Sequence, residues 1–397
     1  MPDDERTSGA PHERARRPRR RPSGGVWEGF ALLLVLALAL GLRTLLLGVS
    51  PEWVGGAYSL DDLRKIAAGV QALPQSIDVR SLREYRVLLS PENDRALLAA
   101  GMEWVASRLA PTRQLSLLCG MAAVLLTWRI GRRLFSAPIG VLAAAVVALN
   151  PFQVVASSSI RMDAALESLV LACTLILWRA LEWPGSLWFW AIYGAGAALL
   201  VRASPYTLLL LPAQALWVFR SRPLSQAIEH LGLAAGVALA LYLPWAPPAL
   251  MVHSTGVPWG PPVALDYVLT LAGTQMFGGY LLNSGSYDAI GSHLDPVSHV
   301  ALLLPFLALM AAGAVLLGRI DKQARLLVGL SWVAPVVLVV LASVALGRVA
   351  AYPRQLIFVQ PFGALLLAAG IVRVRQFATG IVRFRQAVAT PPQADRA

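Results

Sequence analysis

The sequence predicts an all-α membrane protein with roughly ten transmembrane helices, and three observations carry that prediction. Of 397 residues, 57% are hydrophobic and only 14% charged, against about 45–50% and about 25% in a soluble domain. Ten segments approach the roughly 20 apolar residues that a helix needs to cross about 30 Å of hydrocarbon. Ionisable side chains gather at the ends of those segments and avoid their middles, as a cost of about 2.5–3.5 kcal/mol per charge at a helix centre requires. This composition excludes a disordered chain. Cys119 and Cys173 both lie inside apolar runs, so they read as core residues and not as a disulfide scaffold.

Residues 1–25 form a Pro/Arg-rich tail with no packing pattern and are expected to be disordered. The first span, 29–48, reads GFALLLVLALALGLRTLLLG. It is too long for the apolar region of a signal peptide and no small-residue cleavage site follows, so it is expected to remain as an anchor. A long hydrophilic segment, 50–113, comes next. Within it SLDDLRKIAAGVQAL and RALLAAGMEWVASRLA show helical apolar spacing suited to lying along the membrane interface. Further spans are expected at 114–135, 137–156, 163–181, 187–203, 204–220 and 227–247. A second hydrophilic segment, 248–297, is rich in Pro, Gly and Ser and reads as mostly irregular. Spans at 298–318, 326–347 and 355–372 complete the set. A ten-residue unit then repeats, IVRVRQFATG at 371 and IVRFRQAVAT at 381. It reads either as a local duplication without function or as a basic segment lying on anionic lipid. The organisation expected is a basic cytoplasmic tail (1–25), a polytopic domain (26–372) and a second basic cytoplasmic tail (373–397).

A net charge of +12 would raise the question of nucleic acid in a soluble protein, but topology explains it here and no nucleic-acid partner is expected. With the ARRPRRRP tail in the cytoplasm, Arg129, Arg132, Arg133, Arg179, Arg220, Arg222, Arg319, Lys322, Arg325 and the C-terminal arginines fall on the same side. Long loops are weak determinants; once 50–113 is set aside, the bias is strongly positive-inside, with both termini cytoplasmic. The expected location is a bacterial plasma membrane.

On that topology Asp61, Asp62, Asp163, Glu167, Arg161, Arg202 and Arg354 gather toward the extracytoplasmic ends of the helices, which suits a reaction centre at the outer membrane surface. A transporter would place ionisable groups near the midplane, commonly on broken helices in two related halves. Asp163 and Glu167 stand at i and i+4 of one helix, so they share a face, repel one another and call for a cation. Arg161, Arg202, Arg354 or a divalent metal such as Mg or Mn fits that need; capping of the helix by Asp163 is the plainer alternative. His253, His293 and His299, with Asp288 and Asp295, lie in or beside the second outward segment. Their spacing is nonspecific, and they read as solvent-facing loop residues. Trp27, Trp53, Trp183, Trp188 and Trp245 stand near span ends, as in an interfacial belt.

The order of these elements carries a resemblance. An outward acidic pair follows the first span, then TRQLSLLCGMAAVLLTWRIGRRLFSAPIGVLAAAVVALNPFQVVASSSIRMDAALESL, LLVRASPYTLLLLP, ALYLPWAPP and AAYPRQLIFVQPFGALLLAAGI. From about 29 to 372 this resembles the GT-C membrane glycosyltransferases, in particular the protein-mannosyltransferase-like and aminoarabinose-transferase-like bacterial branch. The resemblance implies a GT-C-like helical fold and transfer of a sugar from a polyprenyl-phosphate donor to an extracytoplasmic acceptor. It places Asp61 at the family's proposed catalytic base, Asp163 after Arg161 at a second acidic site, and Arg202 and Arg354 where relatives contact the lipid phosphate. Asp61–Asp62 stands where Asp-Glu is usual. The partners implied are a polyprenyl-phosphate-linked sugar, membrane lipids and an acceptor glycan, lipid or protein. The alternative is a noncatalytic relative that binds or transports a lipid-linked glycan.

The chemistry agrees on separate grounds. An acceptor hydroxyl needs a base to take its proton, whereas a phosphate leaves as a stable anion and needs only positive charge to receive it. A carboxylate opposed by arginines, acting in a single displacement with inversion, is the expected arrangement.

Overall fold

The computed structural model describes residues 26–48, 93–158, 163–245, 268, 271, 296–348, 350–351 and 353–389. Among them the structure is helical: α1 (Val26–Gly48), α2 (Asn93–Leu134), α3 (Ala137–Leu149), α4 (Pro151–Ser158), α5 (Asp163–Glu182), α6 (Leu187–Ala203), α7 (Leu211–Ser221), α8 (Leu224–Tyr242), α9 (Pro296–Ile320), α10 (Lys322–Leu346) and α11 (Gln360–Ala389). Short 3-10 turns cover Pro205–Leu210, Leu243–Trp245 and Pro353–Val359. Among the described residues seven helices are long and apolar enough to cross a membrane, or eight if a bent pair counts as one span.

The differences from the expected ten spans have local causes. The apolar run 137–156 is broken by a 67° bend between α3 and α4. Pro151 has no N–H to continue the helix and disfavours helical backbone at the residue before it. Asn150 accordingly turns extended (φ −64°, ψ 119°), and its Oδ1 accepts the Phe152 N–H at 3.0 Å, capping α4. Run 204–220 is a 3-10 turn followed by an eleven-residue helix, because Ser204 is extended and Pro205 and Pro212 interrupt the regular helical bonding of the run. Helix α6, with 17 residues, is about 25 Å long and falls just short of a full span.

Two segments expected to lie apart from the spans continue them instead. RALLAAGMEWVASRLA is one continuous helix with the second span, the 42-residue α2, which at about 63 Å is twice the thickness of the hydrocarbon. The C-terminal repeat likewise extends the last span as the 30-residue α11. SLDDLRKIAAGVQAL, the N-terminal tail and most of 248–297 lie outside the described residues.

Helix α11 is the core of the bundle. Residues 356–370 are buried throughout, whereas almost all of Val26–Leu45 and of α8 at the periphery is exposed or half-buried. Helix α11 packs on α9, α3 and α10. Its backbone meets that of α9 directly: a Cβ on Gly313 would collide with the Leu366 carbonyl, and one on Gly370 with the Leu309 carbonyl. Small residues let two helices approach this closely in lipid, where no hydrophobic effect drives them together.

Successive helices run in alternating directions, so the bundle has two polar ends. The Glu28 end carries the start of α1, the α2–α3, α5–α6, α7–α8 and α9–α10 links, and the last turns of α11. The Arg43 end carries the end of α1, the α3–α4 break, the start of α5, the end of α6 and the start of α11.

Candidate functional site

The Arg43 end is built from groups that the local structure leaves in need of partners. Where α3 stops at the Asn150 bend, its last carbonyls lose their helical donors. Arg43, fully buried, supplies one: its Nη1 donates to Ala148 O at 3.1 Å and to Ala39 O of its own helix at 3.3 Å. Glu167, also fully buried, lies one turn into α5 and accepts at Oε1 from Gln153 Nε2 at 2.7 Å. Gln153 Nε2 donates as well to Gln360 Oε1 at 2.9 Å. Ser157 Oγ donates to the Gln153 carbonyl at 2.6 Å. On α2, Gly120 leaves the room these groups occupy, since a Cβ there would sit 2.6 Å from Ser157 Cβ and 3.3 Å from Arg43 Nε.

The pair at the centre is attracted without being directly bonded. Arg43 and Glu167 lie close enough to interact electrostatically, yet among the described residues Arg43 Nε and Nη2 and Glu167 Oε2 have no hydrogen-bond partner. A narrow cleft between α3, α9 and α11, lined by Phe306, Met310 and Leu367, reaches Asn150, Gln153 and Gln360. Across the same end Tyr206 donates its hydroxyl to Ala350 O at 2.7 Å, and Ala350 N donates to Ser343 Oγ at 3.0 Å. These bonds tie the turn after Arg202 to the segment leading into Pro353–Val359, which packs on α5.

Of the residues nominated from sequence, Asp163 is the first residue of α5 and half-buried, and Arg202 is exposed in the last turn of α6. The backbone of Arg354 lies in the 3-10 turn Pro353–Val359; its side chain, Asp61, Asp62 and Arg161 lie outside the described residues. The antiparallel course of α5 and α6 puts Asp163 and Arg202 at the same end of the bundle. The backbone of His299 is in α9, while its side chain, His253 and His293 are outside the described set. Trp27, Trp183 and Trp188 are exposed at the Glu28 end, 83%, 60% and 70% respectively, as an interfacial belt requires.

The cation facing Glu167 among the described residues is Arg43, which is not among the residues nominated from sequence. A signal was present: Arg43 is the lone charge inside the first apolar run, and a charge there wants a partner in the protein. Nothing marked Gln153 or Gln360, whose meeting depends on the α3–α4 bend. Glu167 already serves Gln153 and faces a guanidinium, and among the described residues no group of three His, Cys, Asp or Glu gathers that could hold an ion.

The fold is that of a polytopic helical membrane protein, and its arrangement of helices is similar to that of a GT-C protein. It is similar to ArnT from Cupriavidus metallidurans in the apo state, at 17% identity and a TM-score of 0.52, over 92% of this chain and 64% of that one. It also aligns with the oligosaccharyltransferase AglB from Archaeoglobus fulgidus, solved with an inhibitory peptide and a dolichol-phosphate, at 15% identity and a TM-score of 0.47, over 93% and 53% of the two chains. The chain thus spans between about half and two thirds of the length of these proteins. Residues 95–247 match the sequence model of the dolichyl-phosphate-mannose-protein mannosyltransferase family. Comparison with curated proteins finds no match. The resemblance read from the motifs therefore holds at the level of the fold, and the match to the family model runs from α2 to just past α8.

Proposed function

We propose that the protein is a glycosyltransferase that moves a sugar from a polyprenyl-phosphate donor to a hydroxyl of an acceptor glycan, lipid or protein on the extracytoplasmic face, with inversion. The observation that supports this reading is that the turn bearing Arg354 packs on α5, the helix that begins at Asp163, and that Ala350, just before this turn, bonds Tyr206, four residues after Arg202. Both termini lie in the cytoplasm on this reading, and the Arg43 end faces out.

In the reaction, Asp61 takes the proton of the acceptor hydroxyl as it attacks the anomeric carbon. Asp61 is preferred to Asp62 because in the GT-C branch that this chain resembles the proposed base is the first member of the acidic pair. Asp163 orients the acceptor. Arg202 and Arg354, with Arg161, receive the charge that develops on the departing phosphate, since a guanidinium fork matches phosphate oxygens in shape and charge. The phosphate leaves as an anion, so no general acid is required.

The test is Asp61→Asn, which keeps the size and removes the proton acceptor. Turnover of a polyprenyl-phosphate sugar should fall by roughly 10²- to 10⁴-fold while donor binding persists. Near-normal transfer in Asp61→Asn with loss in Asp62→Asn would move the base by one residue. Normal transfer in both would remove the pair from the mechanism and favour a glycan-binding or transport protein.

A further inference from the structure

Four elements meet in one buried polar node, and two of them lie beside described nominated residues. Arg43 lies five residues before the end of α1, which runs on toward Asp61 and Asp62. Gln153 is the third residue of α4, which leads to Arg161. Glu167 stands four residues after Asp163, and Gln360 six after Arg354. Gln153 joins Glu167 to Gln360, and Arg43 joins Glu167 electrostatically and α3 by a hydrogen bond.

We infer that Arg43, Gln153, Glu167 and Gln360 are positioning residues that fix the register of α1, α4, α5 and α11 and so hold the start of α5 at Asp163 and the turn that bears Arg354, a role that rests on the transferase reading for what is positioned. Helix α4 has eight residues, too few to persist by its own hydrogen bonds, and it follows a break that frees it to swing. Apolar packing alone would hold it against the bundle without setting its angle, because burial is not directional. Hydrogen bonds from one amide to two neighbouring helices set that angle. A buried ion pair is a poor source of stability compared with apolar residues of the same volume, so its place at this junction is explained by geometry. Gly120 on α2 completes the arrangement by admitting Arg43 and Ser157 side by side.

The experiment uses the full chain in lipid nanodiscs with a polyprenyl-phosphate sugar as donor. The double variant Arg43→Met/Glu167→Leu removes both charges and should fold. Backbone amide exchange should rise about tenfold or more in 151–158 and 353–360 while 114–134 keeps the rate of the parent. The same variant should lose tenfold or more in kcat, with donor KM rising as well, because the node holds the turn that bears Arg354. A double variant that exchanges and turns over like the parent overturns the inference, as does exchange raised equally throughout the bundle. Should that variant fail to fold, Glu167→Gln carries the same comparison, since it keeps the size and the acceptor for Gln153 while removing the attraction to Arg43. If the parent itself transfers no sugar from the donor, the transferase reading fails. The exchange measurement then decides the node by itself, with local loosening upholding it and unchanged exchange overturning it.

Discussion

The two ends of the bundle use charge in opposite ways. At the Glu28 end the pairs are direct and partly exposed: Arg132 Nε lies 3.2 Å from Glu28 Oε1, and Arg133 Nη2 lies 2.5 Å from Glu182 Oε2, with Arg179 at 3.6 Å. Trp128 Nε1 donates to Glu28 at 3.2 Å, and the Arg133 guanidinium sits 3.9 Å above the Trp178 ring. At the Arg43 end the opposite charges are fully buried, are not directly bonded, and are relayed through amides. Water and headgroups screen the first set, so its geometry is interchangeable and its energy small. The second set has no such screening, and removing one member leaves the other exposed to the full cost of desolvation. Direct, solvated pairs finish the bundle at one end, whereas at the other a few groups dictate how helices meet.

The largest contrast to test is which end faces out. A reporter fused after Leu346 or within 262–295 should read extracytoplasmic, and one after Arg222 or Lys322 cytoplasmic, an all-or-none difference set by the arginine asymmetry. A cytoplasmic signal from 262–295 would put the nominated residues on mixed sides. Next is Arg43→Met alone, which strands Glu167 and should cost roughly 3–5 kcal/mol of stability. Chemical denaturation in detergent checks this, and a loss below about 1 kcal/mol would place Arg43 in the same class as the exposed pairs. Arg202→Leu and Arg354→Leu should each weaken binding of polyprenyl phosphate about tenfold, roughly 1.4 kcal/mol, from loss of a charge-assisted contact. Unchanged affinity in both would leave these arginines as side chains that merely reach for the interface. The smallest effect is expected from Glu182→Gln, whose carboxylate is partly exposed, within about 1 kcal/mol by the same denaturation measurement. A larger loss there would erase the distinction between the two ends.

Much of the fold was legible because the bilayer writes its constraint into local composition. Apolar runs 29–48, 114–135, 163–181 and 326–347 correspond closely to crossing-length helices Val26–Leu45, Gln114–Leu134, Asp163–Glu182 and Lys322–Leu346. Hydropathy did not register Pro151, Pro205 and Pro212, whose effect is to remove hydrogen bonds and not to change polarity. Run 137–156 therefore bends and 204–220 shortens. Of the candidate site, the sequence placed Asp163 and Arg202 at the edges of apolar runs, and they stand in the first turn of α5 and the last turn of α6.

What the sequence determined by itself is the class of environment, a chain that must bury its backbone polar groups in helices because lipid offers them no partner, with charges driven to the helix ends. What only the tertiary structure decided is the identity of the partners. Glu167 was read as calling for Arg161, Arg202, Arg354 or a metal, and it faces Arg43, 124 residues earlier in the chain. Gln153 and Gln360, 207 residues apart, share a hydrogen bond. Helical spacing fixes which residues share a face over one or two turns, but not which helices become neighbours. Here that choice follows from a break at Asn150 that exposes a carbonyl, from Gly120 that admits a guanidinium, and from the close approach of α9 and α11 through Gly313 and Gly370, each of which acts only once the helices are assembled.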